Sequence, residues 1–241
     1  MNADRPEWCK RLQFGLPDDF DFGLIRTEDD AEWLMLVLPN RYRGVAALRL
    51  YEALGARRDK RIVYSGLMSA WDHDHGKVLA AFDDEQVFAD ALRKVAKPFR
   101  RKRPVRAWRG VSSPHAAYGI SWTTDRDVAC WFAMRFRDCH SSPLVFVADI
   151  SPDFIITEHN ERFERELLVN PLAIAGSVRV VLDDPESGDI GVDELLDGQR
   201  PSQAALDEWQ LAYERQVDAI RRGNARRLAH LRIDGENKCL G

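Results

Sequence analysis

The sequence predicts an α+β fold, and three observations predict it. Through the first hundred residues, apolar side chains recur at spacings of three and four, the period of an amphipathic helix. After Pro104 the apolar runs become short and rich in Val and Phe, as strands are. Few helical stretches separate those runs, which favours antiparallel sheets over a doubly wound parallel sheet. The expected organisation is a helical N-terminal region over residues 1–103, a mixed core of two small, mainly antiparallel sheets over 104–184, and a loop with a C-terminal helix over 185–241 that packs on the core. A chain of 241 residues can bury one good core and a second small one.

Residues 1–28 mix Pro, Gly, Asp and Phe without a period and read as an irregular arm packed by Phe14, Phe20 and Phe22. A helix starts near Thr27, with Asp29 and Asp30 in its first turn against the helix dipole. Pro39 ends it or opens the next. Val45, Leu48, Leu50, Tyr51 and Leu54 follow helical spacing, and Gly55 is a stop. Residues 60–71 are ambiguous. Residues 83–95 read as a helix whose Val87, Phe88, Leu92 and Val95 share a face, broken by Pro98. Residues 105–111 and 118–124 read as strands. A helix over 125–136 follows, capped by Thr124 or Asp125, with Val128, Trp131 and Phe132 on one face. Residues 144–150 make a strong strand, 154–157 a weaker one, 166–169 a strand ended by Asn170 and Pro171, and 178–182 another. Residues 203–231 are helical, with a stripe of Leu206, Trp209, Tyr213, Val217 and Ile220 that Gly223 and Asn224 interrupt.

Hydrophobic residues make up 45% of the chain and charged residues 31%, an ordinary balance for a globular protein. The net charge of -4 does not announce a nucleic-acid binder. Residues 93–109 nevertheless carry nine Lys or Arg and no acid. They read as a solvated helix end and linker, or as a basic rim that attracts phosphates or a polyanionic target. Cys9, Cys130, Cys139 and Cys239 form no CxxC pair, which favours a reducing cytoplasm over a disulfide framework or zinc site. The N-terminus lacks the pattern of a secretory signal, and the apolar run of residues 33–38 is too short to cross a bilayer. Asp72-His73-Asp74-His75 resembles a metal tag but has no partner cluster elsewhere, so a helix cap and turn is its expected role and no metal is expected. His115, between two of the strands, reads as a loop residue.

Three short stretches carry the chemistry. Arg109 ends one strand, and its guanidinium matches phosphate oxygens in a fork, while Gly110 lets backbone approach a ligand. Alone, the pair reads more simply as a surface arginine before a turn. Ser121 and Thr123 point to one face of the next strand, with Trp122 on the other. Alone they read as polar residues on a solvent face. Glu164 and Glu166, at i and i+2 on a third strand, would stand on one face with Cα atoms roughly 7 Å apart. Close carboxylates repel and can differ in pKa and role. Beside Glu158, Glu161, Arg162 and Arg165, they also read as a solvated charged strand.

Together these stretches resemble the three-part signature of the ADP-ribosyltransferases of the Arg–Ser–Glu class, which includes bacterial toxins and phage-encoded enzymes. Ser121-Trp122-Thr123 falls where that family has Ser-Thr-Ser. Residues 128–133 fall on its short helix, and Glu164-Arg165-Glu166 falls on its Glu-x-Glu strand. The likeness spans residues 105–182. Trp122 and Thr123 depart from the usual small hydroxyls, and residues 1–100 match no family.

The resemblance implies a glycosyltransferase that takes NAD as co-substrate, without a metal. Arg109 would pair with a phosphate or its ribose, and Gly110 with the nicotinamide amide. Ser121 would position Glu166, and Ser121 and Thr123 would also contact NAD. Glu166 would bond the nicotinamide-ribose 2′-hydroxyl and stabilise the developing cation. Glu164 would orient or deprotonate the acceptor, in the family often arginine. Tyr118 or Trp122 would stack on nicotinamide or, as aromatics more commonly do, pack in the core. The implied partners are a protein or nucleic-acid acceptor and an inhibitor or antitoxin protein. The implied place is the cytoplasm of a bacterium or phage-infected cell, with no membrane. Two alternatives stay open: an NAD glycohydrolase with water as acceptor, and a non-catalytic binding module on the same fold.

Overall fold

The computed structural model describes residues 6–12, 14–55, 60–135, 143–160, 164–195 and 200–238, with side chains to residue 223. Cys139, Cys239, Phe136, Glu161, Arg162 and residues 1–5 lie outside the described residues. The described chain is α+β. Its eight α-helices are α1 (Cys9–Leu12), α2 (Glu28–Val37), α3 (Asn40–Leu54), α4 (Lys60–Ala81), α5 (Glu85–Val95), α6 (Arg126–Met134), α7 (Pro171–Ser177) and α8 (Gln203–Lys238). Its strands are β1 (Val105–Val111), β2 (Ser121–Thr123), β3 (Leu144–Ile150), β4 (Ile155–His159), β5 (Glu166–Val169) and β6 (Val181–Leu182). They bond in the order β4-β5-β2-β1-β3-β6, with β1–β2, β3–β6 and β4–β5 antiparallel. One six-stranded series therefore replaces the two small sheets expected. The reason is the β2 segment, which is bonded on both sides: Val169 donates its N–H to the Ile120 carbonyl at 2.9 Å, and Trp108 pairs with Thr123.

Two compact units make up the chain, each discontinuous in sequence: Met1–Pro104 with Gly119–Ser121 and Ile150–Ser177, and Val105–Tyr118 with Trp122–Asp149 and Val178–Gly241. In the first unit, α2 opens with a capping box. Thr27 Oγ accepts from the Asp30 N–H at 3.0 Å, and the Asp30 carboxylate accepts from the Thr27 N–H at 3.0 Å. Helices α3 and α4 approach closely because Gly44 has no side chain: a Cβ there would lie 2.1 Å from the Lys77 carbonyl oxygen. The ambiguous residues 60–71 are helical. Helix α4 breaks at Asp74, whose backbone is extended (φ -164°, ψ 82°), and Asp74 Oδ1 accepts from the Lys77 N–H at 3.1 Å. Asp72–His75 thus forms a helix cap and turn.

Two packing expectations for this unit change, and one helix was not expected. Phe14 is 81% exposed, because Trp8, Phe20 and Phe22 pack edge to face without it, at ring separations of 5.9 and 5.1 Å. Val87 is exposed while Phe88, Leu92 and Val95 are buried. One residue is about 100° of helix turn, enough to carry Val87 to solvent. Asn170 and Pro171 end β5 as expected and also start α7, which the sequence reading missed; Asn170 Oδ1 accepts from the Ala173 N–H at 2.9 Å.

In the second unit, α6 packs on β1 through Gly110. Helix α8 buries Ala205, Trp209 and Ala212. The buried stripe is therefore offset from the expected one: Trp209 holds, Leu206, Tyr213 and Val217 are half-buried, and Ile220 is exposed. Arg126 ties α6 to Asp183 at 2.6 Å and to Glu208 on α8 at 2.7 Å, and Arg215 forks onto Asp127 at 2.7 Å. Val128 is buried as expected, but Trp131 and Phe132 are half-buried, with the Arg135 guanidinium over both rings. Strands β2 and β6 are shorter than read. A 3₁₀ turn at Pro114–Ala116 precedes β2, and the Asp125 N–H bonds Thr123 Oγ at its end. Gly223 does not interrupt α8. No helix among the described residues is long and apolar enough to cross a membrane.

Candidate functional site

Glu166 opens β5 and is 7% exposed. A carboxylate taken from water needs donors. Ser121, the first residue of β2, donates its hydroxyl to Oε1. The Trp71 indole N–H on α4 donates to both oxygens at 3.2 Å. Trp71 is itself held flat against Phe88, with centroids 5.1 Å apart and planes 5° apart. In the β4–β5 register, His159 stands opposite Glu166. Side chains of facing residues share one side of the sheet. His159 Nε2 lies 2.7 Å from Asp72 Oδ1. Two consecutive residues of α4, Trp71 and Asp72, therefore hold two facing residues of the β4–β5 pair.

Burial raises the Glu166 carboxyl above its ordinary range, and the bonds from Ser121 and Trp71 and the charge of His159 oppose that rise. Asp184, the other buried carboxylate among the described residues, behaves in the opposite way. Burial raises it too, but bonds from Ser202, Ser187 and Glu186 outweigh burial and hold it below the ordinary range. Asp184 is a loop staple with its donors supplied by neighbouring backbone and hydroxyls. Glu166 is a carboxyl whose proton affinity burial raises, which makes it a candidate for a chemical role.

The other expected residues are placed as follows. Glu164 lies outside β5, and Arg165 between it and Glu166 has a left-handed backbone with φ 47°. Strand alternation therefore does not put the two carboxylates on one face, which corrects the i, i+2 expectation. Arg109, on β1 in the second unit, donates Nε–H to the Ala116 carbonyl at 2.7 Å. Gly110 is explained by packing: a Cβ would sit 1.8 Å from the Ala129 carbonyl oxygen of α6. Tyr118 donates its hydroxyl to Asp193 at 3.0 Å, and burial followed by that carboxylate raises its pKa to about 12. Trp122 is 1% exposed, a core aromatic rather than a stacking platform. Thr123 is buried and accepts from the Asp125 N–H at 3.0 Å.

The structure thus brings Ser121 and Glu166 together and adds Trp71, His159 and Asp72, which sequence reasoning did not connect to them. Asp72 belongs to the motif first weighed as a metal tag; its carboxylate instead serves an imidazole. Among the described residues no group of three or more His, Cys, Asp or Glu is placed to hold a metal ion. Comparisons with protein-family models, curated proteins and solved structures each find no match.

Proposed function

We propose that the protein is a mono-ADP-ribosyltransferase that cleaves NAD and transfers ADP-ribose to a macromolecular acceptor, releasing nicotinamide. The observation that carries the reading is the part-buried Ser121–Glu166 bond. The serine and glutamate of the resembled signature, 45 residues apart, meet through their side chains at the starts of β2 and β5. In this reading Ser121 and Trp71 hold Glu166 in place, and Glu166 accepts the 2′-hydroxyl of the nicotinamide ribose. Its negative charge then opposes the positive charge that grows on the ribose as the glycosidic bond breaks. Oε2 accepts from the Trp71 N–H, and a carboxylate oxygen with one such bond retains acceptor capacity. Arg109 pairs with a phosphate, a role that rests on the resemblance.

One observation favours water as the acceptor instead. Glu164, the residue assigned to direct the acceptor, precedes β5, so strand alternation does not set it on the face of Glu166. Labelled NAD incubated with the purified protein and a bacterial lysate separates the two. Label on a discrete protein or nucleic-acid band, lost with Glu166→Gln, supports transfer. Nicotinamide release without labelled acceptor supports the glycohydrolase. Neither signal, with no NAD binding by calorimetry, removes both readings.

A further inference from the structure

We propose that His159, held by Asp72, is a positioning residue that keeps Glu166 ionised and fixed. His159 faces Glu166 across the β4–β5 ladder, and its Nε2 lies 2.7 Å from Asp72. Facing residues of an antiparallel pair have Cβ atoms about 5 Å apart, within the range where an imidazolium stabilises a carboxylate. The side chains of His159 and Asp72 are only 11% and 21% exposed, so solvent screens the pair weakly. Asp72 favours the protonated imidazole, and the protonated imidazole favours ionised Glu166. With His159 protonated the arrangement alternates charge, Asp72 negative, His159 positive and Glu166 negative, and Trp71 beside Asp72 on the same helix supplies the N–H to Glu166.

The other charged groups around Glu166 do not replace this pair. On α4, His75 lies against the Trp71 ring, with centroids 5.4 Å apart. On α5, Glu85 accepts from the Ile120 N–H at 3.1 Å. On β4, the neighbouring Glu158 alternates to the other face and pairs with Arg101 at 3.0 Å. Glu164 and Arg165 precede the strand, and β2 contributes the Ser121 hydroxyl. Asp72 itself repels Glu166, and His159 offsets that repulsion only while it carries its proton.

The inference rests on the proposed reaction for its purpose, but its test does not need NAD. The full chain, labelled in Glu and His, is titrated by NMR as wild type, His159→Gln and Glu166→Gln. Coupling is reciprocal, so the same factor is read from either side. In His159→Gln the Glu166 midpoint moves to higher pH, by about tenfold in proton affinity. In Glu166→Gln the His159 midpoint moves to lower pH by the same factor, an arm that stands if His159→Gln does not fold. A merely structural His159 would lower Tm and leave the Glu166 midpoint in place, and unmoved midpoints overturn the inference. Coupled midpoints in a protein inert toward NAD support the charge chain and sink the transferase reading; uncoupled midpoints in a protein that cleaves NAD do the reverse.

Discussion

At the scale of single residues, Glu166 sets the pH behaviour. In the proposed reaction the ionised form is the one that opposes a growing ribosyl cation, so the acid limb of NAD cleavage follows Glu166. Burial places that limb above the ordinary carboxylate range. Ser121→Ala and Trp71→Phe each remove a bond that favours ionised Glu166, so each moves the limb to higher pH; a pH–rate profile reads the shift. Stability runs the other way. The raised folded pKa contributes stability that is present below the unfolded carboxylate value and is lost as pH rises through the folded value. Glu166→Gln therefore melts higher than wild type at pH 8, and the gain disappears toward pH 4; two thermal scans check it. Ser121 and Glu166 were legible because the motif names them. Trp71 and His159 were not, because their partners lie 95 and 87 residues away, and no local spacing records such a pairing.

At the scale of elements, glycine and caps carry the testable weight. Gly110→Ala forces α6 off β1, since backbone atoms, not a flexible side chain, occupy the space. The expected loss is about 1–3 kcal/mol or more, read by chemical denaturation. Thr27→Ala removes the capping box of α2 and costs about 1 kcal/mol. Strands β1, β3 and β5 were read at their observed bounds because short apolar runs with turn residues at their ends leave little choice. Elements with few local constraints went less well. Helix α7 hid behind a proline read only as a stop. The stripe of α8 was offset because Ala205 and Ala212, too small to mark a face by hydropathy, are the residues that let the helix approach.

At the scale of the whole molecule, the α+β class was legible from the change of texture at Pro104, while the single six-stranded order was not. That order depends on Ile120 bonding Val169 across nearly fifty residues of chain, which composition does not encode. The proposed reaction makes the protein a ligand-binding one, so NAD at a hundred times its Kd stabilises it by about 2.7 kcal/mol, roughly 5–11 °C in Tm. Glu166→Gln keeps that shift, and Arg109→Ala loses most of it. The most direct measurement of the central claim is nicotinamide release from NAD by wild type beside Glu166→Gln, with NAD binding measured on both. The account predicts release by wild type, a loss of about 100- to 1,000-fold in the variant, and similar NAD affinity. Equal loss of binding and turnover would make Glu166 structural, and a wild type that neither binds nor cleaves NAD would contradict the account.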